Sequence, residues 1–380
     1  MGRRLTRRGF AKGLVIAPLV LAGCGEPAAG QIEQDRLPLA QVNPWGTNTF
    51  LHQDAESWRK RKTLQMVKDA GIGWIKQHFP WADIEQSGPG QYIDPLWKTS
   101  TWEKYDEIVD LAEEAGIEIV ARIDRVPAWA RPEESTSTEP PSQLEDFGRF
   151  IETIVARYRG RIRHYQIWNE PNLAHEWGGR RPDAAGYVDL LRTAFMAAQA
   201  IDPEVLILNA PLAATLERSA RAQVELEFLK EFYGAGGGDY FHIHSANAFG
   251  LGFPPEDAPD PEVLNFRRVE LSRAIMVANG DGDKPIWFNE YGWNASPPDF
   301  PPHLLMWSRV DEDVQAEWTV RGVEYARANW PWAGVFCVWF FLRQYIDVDP
   351  DESEFYFRMV DPDFTPRPVY RAVARAATGK

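Results

Sequence analysis

Cysteine is nearly absent: only Cys24 and Cys337 occur in 380 residues. That is too few for a disulfide framework, so the fold has to stand on its apolar core, which a chain of this length can supply. Positive charge is also short. Five of the 41 basic residues lie in the first 23 positions with no acid among them, so the rest of the chain sets 36 basic groups against 55 acidic ones. A surface that acidic repels phosphate backbones, which excludes nucleic acid and makes other anionic polymers poor partners. No sequence-level repeat, coiled coil or extended low-complexity tract stands out. Metal spacing is missing as well. His242 and His244 have no third ligand at a recognisable distance, and Asp347, Asp349 and Asp351 alternate without the turn glycine of a calcium loop. No cofactor is expected.

Apolar and aromatic side chains are abundant, at 44% and 13%, with 16 tryptophans. Such a chain folds around a large core, and its length fits a single (β/α)8 domain. The first residues stand apart from it. Arg7-Arg8-Gly9-Phe10-Ala11-Lys12 precedes an apolar run, Leu14 to Val20, that is too short to span a bilayer, and Leu21-Ala22-Gly23-Cys24 follows. The paired arginines resemble a twin-arginine export signal, and the Leu-Ala-Gly-Cys stretch resembles the lipobox of bacterial lipoproteins. The resemblance implies a signal peptide over 1–23, lipid on Cys24, a flexible tether over 24–40 and a folded domain over 41–380. The protein is then extracytoplasmic and touches the membrane through its lipid alone. With Cys24 acylated, Cys337 has no partner. Its apolar surroundings in Val335-Phe336-Cys337-Val338 suit a small buried hydrophobe.

From Gln41 onward, short apolar runs alternate with amphipathic stretches of helical period. Eight strand candidates centre on Asn43–Asn48, Trp74–Phe79, Glu118–Ile123, His164–Trp168, Val205–Asn209, Tyr240–His244, Pro285–Asn289 and Val335–Trp339. Gly71, Gly116 and Gly160 sit where helices should stop. An open doubly wound sheet gives similar local patterns, but eight units favour an α/β barrel of the (β/α)8 TIM type. Helix-to-strand links are tight, whereas the strand-to-helix links Pro80–Thr101, Pro127–Pro141, Ser245–Pro261 and Tyr291–Val310 are long. A barrel places its ligand site at the carboxyl ends of its strands, so these loops should wall a cleft there.

Two acids stand out against this frame. Trp168-Asn169-Glu170-Pro171 places Glu170 where the fourth strand ends, and Phe288-Asn289-Glu290-Tyr291-Gly292 places Glu290 at the end of the seventh. Strands four and seven lie on roughly opposite sides of an eight-stranded ring, so the two carboxylates face each other across its mouth. Glycosidic cleavage needs that arrangement: one acid protonates the departing oxygen, and the other attacks or activates water at the anomeric carbon.

At these residues the chain resembles the clan A glycoside hydrolases, the 4/7 superfamily of retaining (β/α)8 enzymes that includes families 5 and 39. The likeness runs from about Trp45 to Trp339 and is most specific at Trp168 to Pro171 and Asn289 to Gly292. It implies that Glu170 is the general acid/base, that Asn169 holds the sugar 2-hydroxyl and that Glu290 is the nucleophile. Lys76 stands where many relatives carry an arginine beside the nucleophile, and with His78 it joins the expected substrate site. Trp168 is read as a desolvating neighbour of the acid or as barrel filling. His244 is expected at the end of strand six, touching the nucleophile or sugar, but the aromatic usual two residues later is Ala246. Trp45, Trp129, Trp293 and Trp339 are candidate stacking platforms for carbohydrate, whose C–H faces suit indoles. These features imply a retaining hydrolase of β-glycosidic bonds in a poly- or oligosaccharide. The alternative is a lipoprotein that only binds carbohydrate, either an inactive barrel or a solute-binding protein.

Overall fold

The computed structural model describes Ile32, residues 34–343 and residues 349–380. Strands and helices alternate as β1 Trp45–Thr49, α1 Ser57–Asp69, β2 Trp74–His78, α2 Glu103–Ala115, β3 Glu118–Ile123, α3 Leu144–Arg157, β4 His164–Ile167 and α4 Ala184–Ile201. They continue as β5 Leu206–Leu208, α5 Glu225–Gly234, β6 His244–Phe249, α6 Val269–Ala278, β7 Ile286–Gly292, α7 Glu312–Asn329, β8 Ala333–Val338 and α8 Pro368–Thr378. The eight strands pair in the order β5-β4-β3-β2-β1-β8-β7-β6, with every pairing parallel. A parallel bridge between Leu208 and Ile243 joins the two ends of that order, so the sheet closes into a (β/α)8 barrel.

Local chemistry sets the helix ends. Gly116 closes α2 in the left-handed region at φ 71°, where a side chain would be strained, and its N–H bonds back to Ala112. The Asp183 carboxylate accepts from the Gly186 N–H at 3.0 Å and so opens α4, while Pro368 begins α8. Two apolar layers result. One fills the space between the sheet and the helices, and the other fills the barrel floor with Trp74, Val120, Leu208, Ile243, Trp287, Val335 and Cys337. Burial pushes the Cys337 thiol up to about 12, as befits a packing residue.

Three expectations need correction. The tether expected to run to residue 40 is already packed at Arg36. That guanidinium donates to the Arg327 carbonyl at 2.9 Å and to those of Trp330 and Ala333 at 3.3 Å. Leu39 and Val42 then cover the floor cluster, and the Trp287 indole N–H donates to the Leu39 carbonyl at 2.9 Å. The sixth strand begins at His244 instead of ending there, because Gly237–Tyr240 forms a 3-10 turn. The seventh runs on to Gly292, so Glu290 lies within it and not at its end. Cys24 and the signal segment lie outside the described residues, as does Asp347.

Candidate active site

Strand β4 gives out in an unusual way. Trp168 has φ 74° and Glu170 φ 43°, two non-glycine residues in the left-handed region on either side of Asn169. Such backbone is costly, and here it turns the chain sharply so that Glu170 projects over the mouth of the ring. The turn is held because the Trp168 N–H still bonds the Ile123 carbonyl and the Glu170 N–H bonds that of Pro211 at 3.0 Å. The same twist sends the Trp168 indole outward. It packs against Phe147 and Trp177, and its N–H donates to the Glu176 carbonyl at 2.9 Å. It is packing between the barrel and its helices, with no place in the wall of the cleft.

Glu290 is buried within β7, and the Lys76 ammonium meets it at 2.8 Å. Lys76 is itself buried on β2. Burial pulls its ammonium below the usual range, while the Glu290 charge pushes it back up. Asn247 bridges the two acids. Its side-chain nitrogen donates to Glu170 at 2.7 Å and reaches Glu290 at 3.5 Å. Because one nitrogen serves both, the two oxygens it reaches lie within about 6 Å of each other. The Glu170 carboxyl is pushed up to about 8, first by burial, then by the charges of Glu290 and Glu176. At neutral pH Glu170 therefore holds a proton beside a carboxylate countered by a lysine, the division of labour that an acid and a nucleophile need.

The two acids sit in a cleft of about 630 Å³ at the carboxyl ends of the strands. Asn169, His78 and Trp339 line it as expected positions, together with Phe50, His52, Arg122, Trp307 and Arg343. The Trp339 ring lies 6.0 Å from the Lys76 ammonium and makes an edge contact with Phe50. Four other candidates lie elsewhere. Trp45 starts β1, at the amino end of the strand and away from the mouth. Trp129 packs on Trp81, and its indole donates to the Glu85 carbonyl at 2.7 Å. Trp293 is buried against Phe266 and Trp318 and donates to the Phe253 carbonyl at 2.9 Å. His244 sits low on β6 with its Nδ1 at 3.1 Å from the Asn209 amide, and burial lowers it to about 3. His242 is also accounted for, since its Nδ1 accepts from the Ile207 N–H at 2.9 Å. Among the described residues, no group of three or more His, Cys, Asp or Glu side chains is placed to hold a metal ion.

Asn247 is the residue that sequence reasoning missed. Strict alternation from His244 points Ala246 inward and Asn247 outward. The register slips between Ala246 and Asn247, however, which sets Asn247 opposite Glu290. No one-dimensional pattern announces that bulge. His52 escaped for a similar reason, since it lies in the 3-10 turn after β1, outside any periodic element.

Comparison with known proteins bears on this geometry. Residues 66–233 match the sequence model of glycosyl hydrolase family 10. In fold, the chain is similar to a family 39 glycoside hydrolase from Bacteroides cellulosilyticus WH2, with TM-score 0.64 and 20% identity over 91% of this chain and 64% of that one. It is also similar to a family 39 β-xylosidase from Caulobacter crescentus, with TM-score 0.62 and 18% identity over 90% of this chain and 72% of the other. The family 39 enzyme from Xanthomonas axonopodis pv. citri gives TM-score 0.63 and 16% identity, with 90% and 67% covered. The chain thus spans about two-thirds of the length of these relatives. Over residues 66–233 the chain thus resembles glycosyl hydrolase family 10, and in fold it resembles the (β/α)8 enzymes of family 39.

Proposed function

We propose that the protein is a retaining β-glycosidase that works by double displacement, with Glu170 as acid/base and Glu290 as nucleophile. The observation that carries this reading is the shared Asn247 nitrogen. Carboxyl groups about 5 to 5.5 Å apart suit direct attack, whereas inverting enzymes hold them roughly 6.5 to 9.5 Å apart to admit water. The two oxygens that Asn247 reaches lie at most about 6.2 Å apart, short of the inverting gap.

The chemistry follows from the environments. Glu170 gives its proton to the glycosidic oxygen as the bond to the anomeric carbon breaks, and Glu290 adds to that carbon to form a glycosyl ester. Esterification removes the negative charge that helps keep Glu170 protonated, so Glu170, now ionised, is a competent base. It takes a proton from water, whose oxygen displaces Glu290 from the sugar. Lys76 counters the Glu290 charge before attack and again as the carboxylate departs. Trp339, Trp307 and Phe50 offer apolar faces to sugar rings, and Asn169 offers its amide to a ring hydroxyl.

The test is a panel of aryl β-glycosides covering xylosides, glucosides, mannosides and galacturonides. The wild type should release aglycone from at least one, with the β-anomer as first product by proton NMR. Glu290→Gln should lower kcat/KM by roughly 10⁴-fold or more, as expected when a covalent nucleophile is removed. An α-anomeric first product would exclude double displacement, and a wild type inert on every member would favour a barrel that only binds carbohydrate. We further propose that the protein acts outside the cytoplasm, held by lipid on Cys24. The arginine pair and the Leu21-Ala22-Gly23-Cys24 stretch support this reading.

A further inference from the structure

Behind Asn247, between β6 and α6, lies a small chamber of about 30 Å³. Four residues of its wall carry a polar atom with no hydrogen-bond partner among the described residues: Ser245 Oγ, Asn247 Oδ1, Asn265 Oδ1 and Arg268 Nη2. All four residues are buried, none more than 9% exposed. Buried polar groups in folded proteins are overwhelmingly paired, so four orphans around one cavity point to a ligand that they hold in common.

The other ends of these side chains fix what each orphan offers. Asn265 donates from Nδ2 to Asp257 at 2.6 Å and to the Ala258 carbonyl at 2.7 Å, so its oxygen is the free end. Asn247 spends its nitrogen on Glu170 and Glu290, which likewise leaves its oxygen. Arg268 engages Glu225 through Nε and the carbonyls of Asp260, Pro261 and Val263 through Nη1, so Nη2 remains. The wall thus presents two acceptors, one donor and a hydroxyl that rotates to suit. Water matches this set, because it donates twice and accepts twice. A metal cation would face the permanently charged Arg268 guanidinium, and an anion would face two amide oxygens and the Glu225 carboxylate. Size agrees, since a water needs roughly 10 to 15 Å³ of such space.

We propose that this chamber is a buried water site, and that its water positions Asn247 by donating to the Asn247 Oδ1. The positioning role rests on the glycosidase reading above and extends it from the acids to what steadies their shared partner. Asn247 bonds two groups whose charges exchange during the cycle, since Glu290 is neutralised in the ester as Glu170 becomes ionised. A side chain fastened only to those groups would shift with them. Fastened at its oxygen, through water, to Ser245, Asn265 and Arg268, it keeps its nitrogen between the acids. The chamber shares Ala214 and Phe249 with the cleft wall, which sets it directly behind the active site.

Two changes at Ser245 separate the water from the hydroxyl. Ser245→Ala removes one partner and leaves room for the water, whereas Ser245→Val fills that room with methyl groups. Crystal structures should show an ordered water within about 3.2 Å of both Asn247 Oδ1 and Asn265 Oδ1 in the wild type and in Ser245→Ala, and none in Ser245→Val. On the glycoside that the wild type hydrolyses best, Ser245→Ala should keep most of its activity. Ser245→Val should lose roughly 10- to 100-fold in kcat with KM little changed, as for a displaced catalytic group. Its basic limb should also move upward, because the Asn247 hydrogen bond works to lower the Glu170 carboxyl. Glu290, Glu176, Arg122 and Arg125 act on Glu170 too, but none of them lines the chamber. Of the groups that do, Glu225 and Arg268 are bonded to each other and burial keeps His244 neutral, so the shift reports Asn247. A Val variant that is slower or less stable but keeps the wild-type limb overturns the positioning role. An ion in the chamber of the wild type, or no ordered water there, overturns the site itself, whether or not the Val variant folds. A wild type that holds the water yet is inert on every glycoside supports the site and refutes the glycosidase reading alone.

Discussion

Glu170 and Glu290 are the same residue type a few ångströms apart, and their surroundings separate them. Glu170 has burial and two nearby acids acting on it and is pushed from 4.5 to about 8, whereas Glu290 has a lysine at 2.8 Å. Hydrolysis that needs the Glu170 proton should decline above about pH 8, and Glu170→Gln should lose that basic limb. The variant should also lose about 10³-fold in kcat/KM on glycosides with poor leaving groups and less on activated aryl ones. The same group bears on stability. Its folded value lies above its unfolded one, so its contribution is fully present below about pH 4.5 and is lost as pH rises to about 8. Thermal unfolding of Glu170→Gln against wild type should therefore show a Tm difference that moves in the variant's favour across that window. Lys76→Met leaves the buried Glu290 without its countercharge. It should lower kcat/KM by about 10- to 100-fold at neutral pH and move the acidic limb of the profile upward, as pH profiles of both proteins would show.

At the scale of elements, β6 and β7 decide the site, and both depart from regular alternation. The slip at Asn247 brings an amide to two carboxylates, and the extra length of β7 carries Glu290 into the ring wall. The chain leaving β6 then runs close to Trp293. A Cβ on Gly250 would stand 2.0 Å from the Trp293 ring, which is itself packed on Phe266, so neither side can yield cheaply. Gly250→Ala should cost about 1 to 3 kcal/mol by overpacking, measured by urea unfolding, and a loss well under that would show that the loop can move aside. The paired Asn-Glu steps were legible because they end apolar runs of the right length. Asn247 was not legible, because a bulge depends on how two strands meet.

Across the whole molecule, the chain enters the barrel at its floor. Arg36 is tied to the end of α7, and Leu39 and Val42 sit against the floor cluster, while the cleft opens at the opposite ends of the strands. A lipid on Cys24 would thus leave the cleft facing away from the bilayer, where a bulky glycan has access. Cys24→Ser should move the protein from the membrane fraction to the soluble extracytoplasmic fraction with its activity per mole unchanged. Retention in the membrane fraction would refute the anchor. The acidic surface beyond the first residues suits a neutral ligand at the cleft, where Lys76 and Arg122 are each matched by a carboxylate.

Taken alone, the sequence determined the barrel, its eight units, the end at which the cleft lies and the two acids. Each of these is written in local periodicity, turn chemistry and loop length, which depend on neighbours along the chain. Only the tertiary structure decided which tryptophans meet the cleft and which brace the shell, since an indole in a loop can turn either way. It also decided that Asn247 and His52 belong to the site and that His244 does not. Those assignments depend on register, on a bulge and on where a strand begins, and side chains brought together from distant strands share no signal in one dimension.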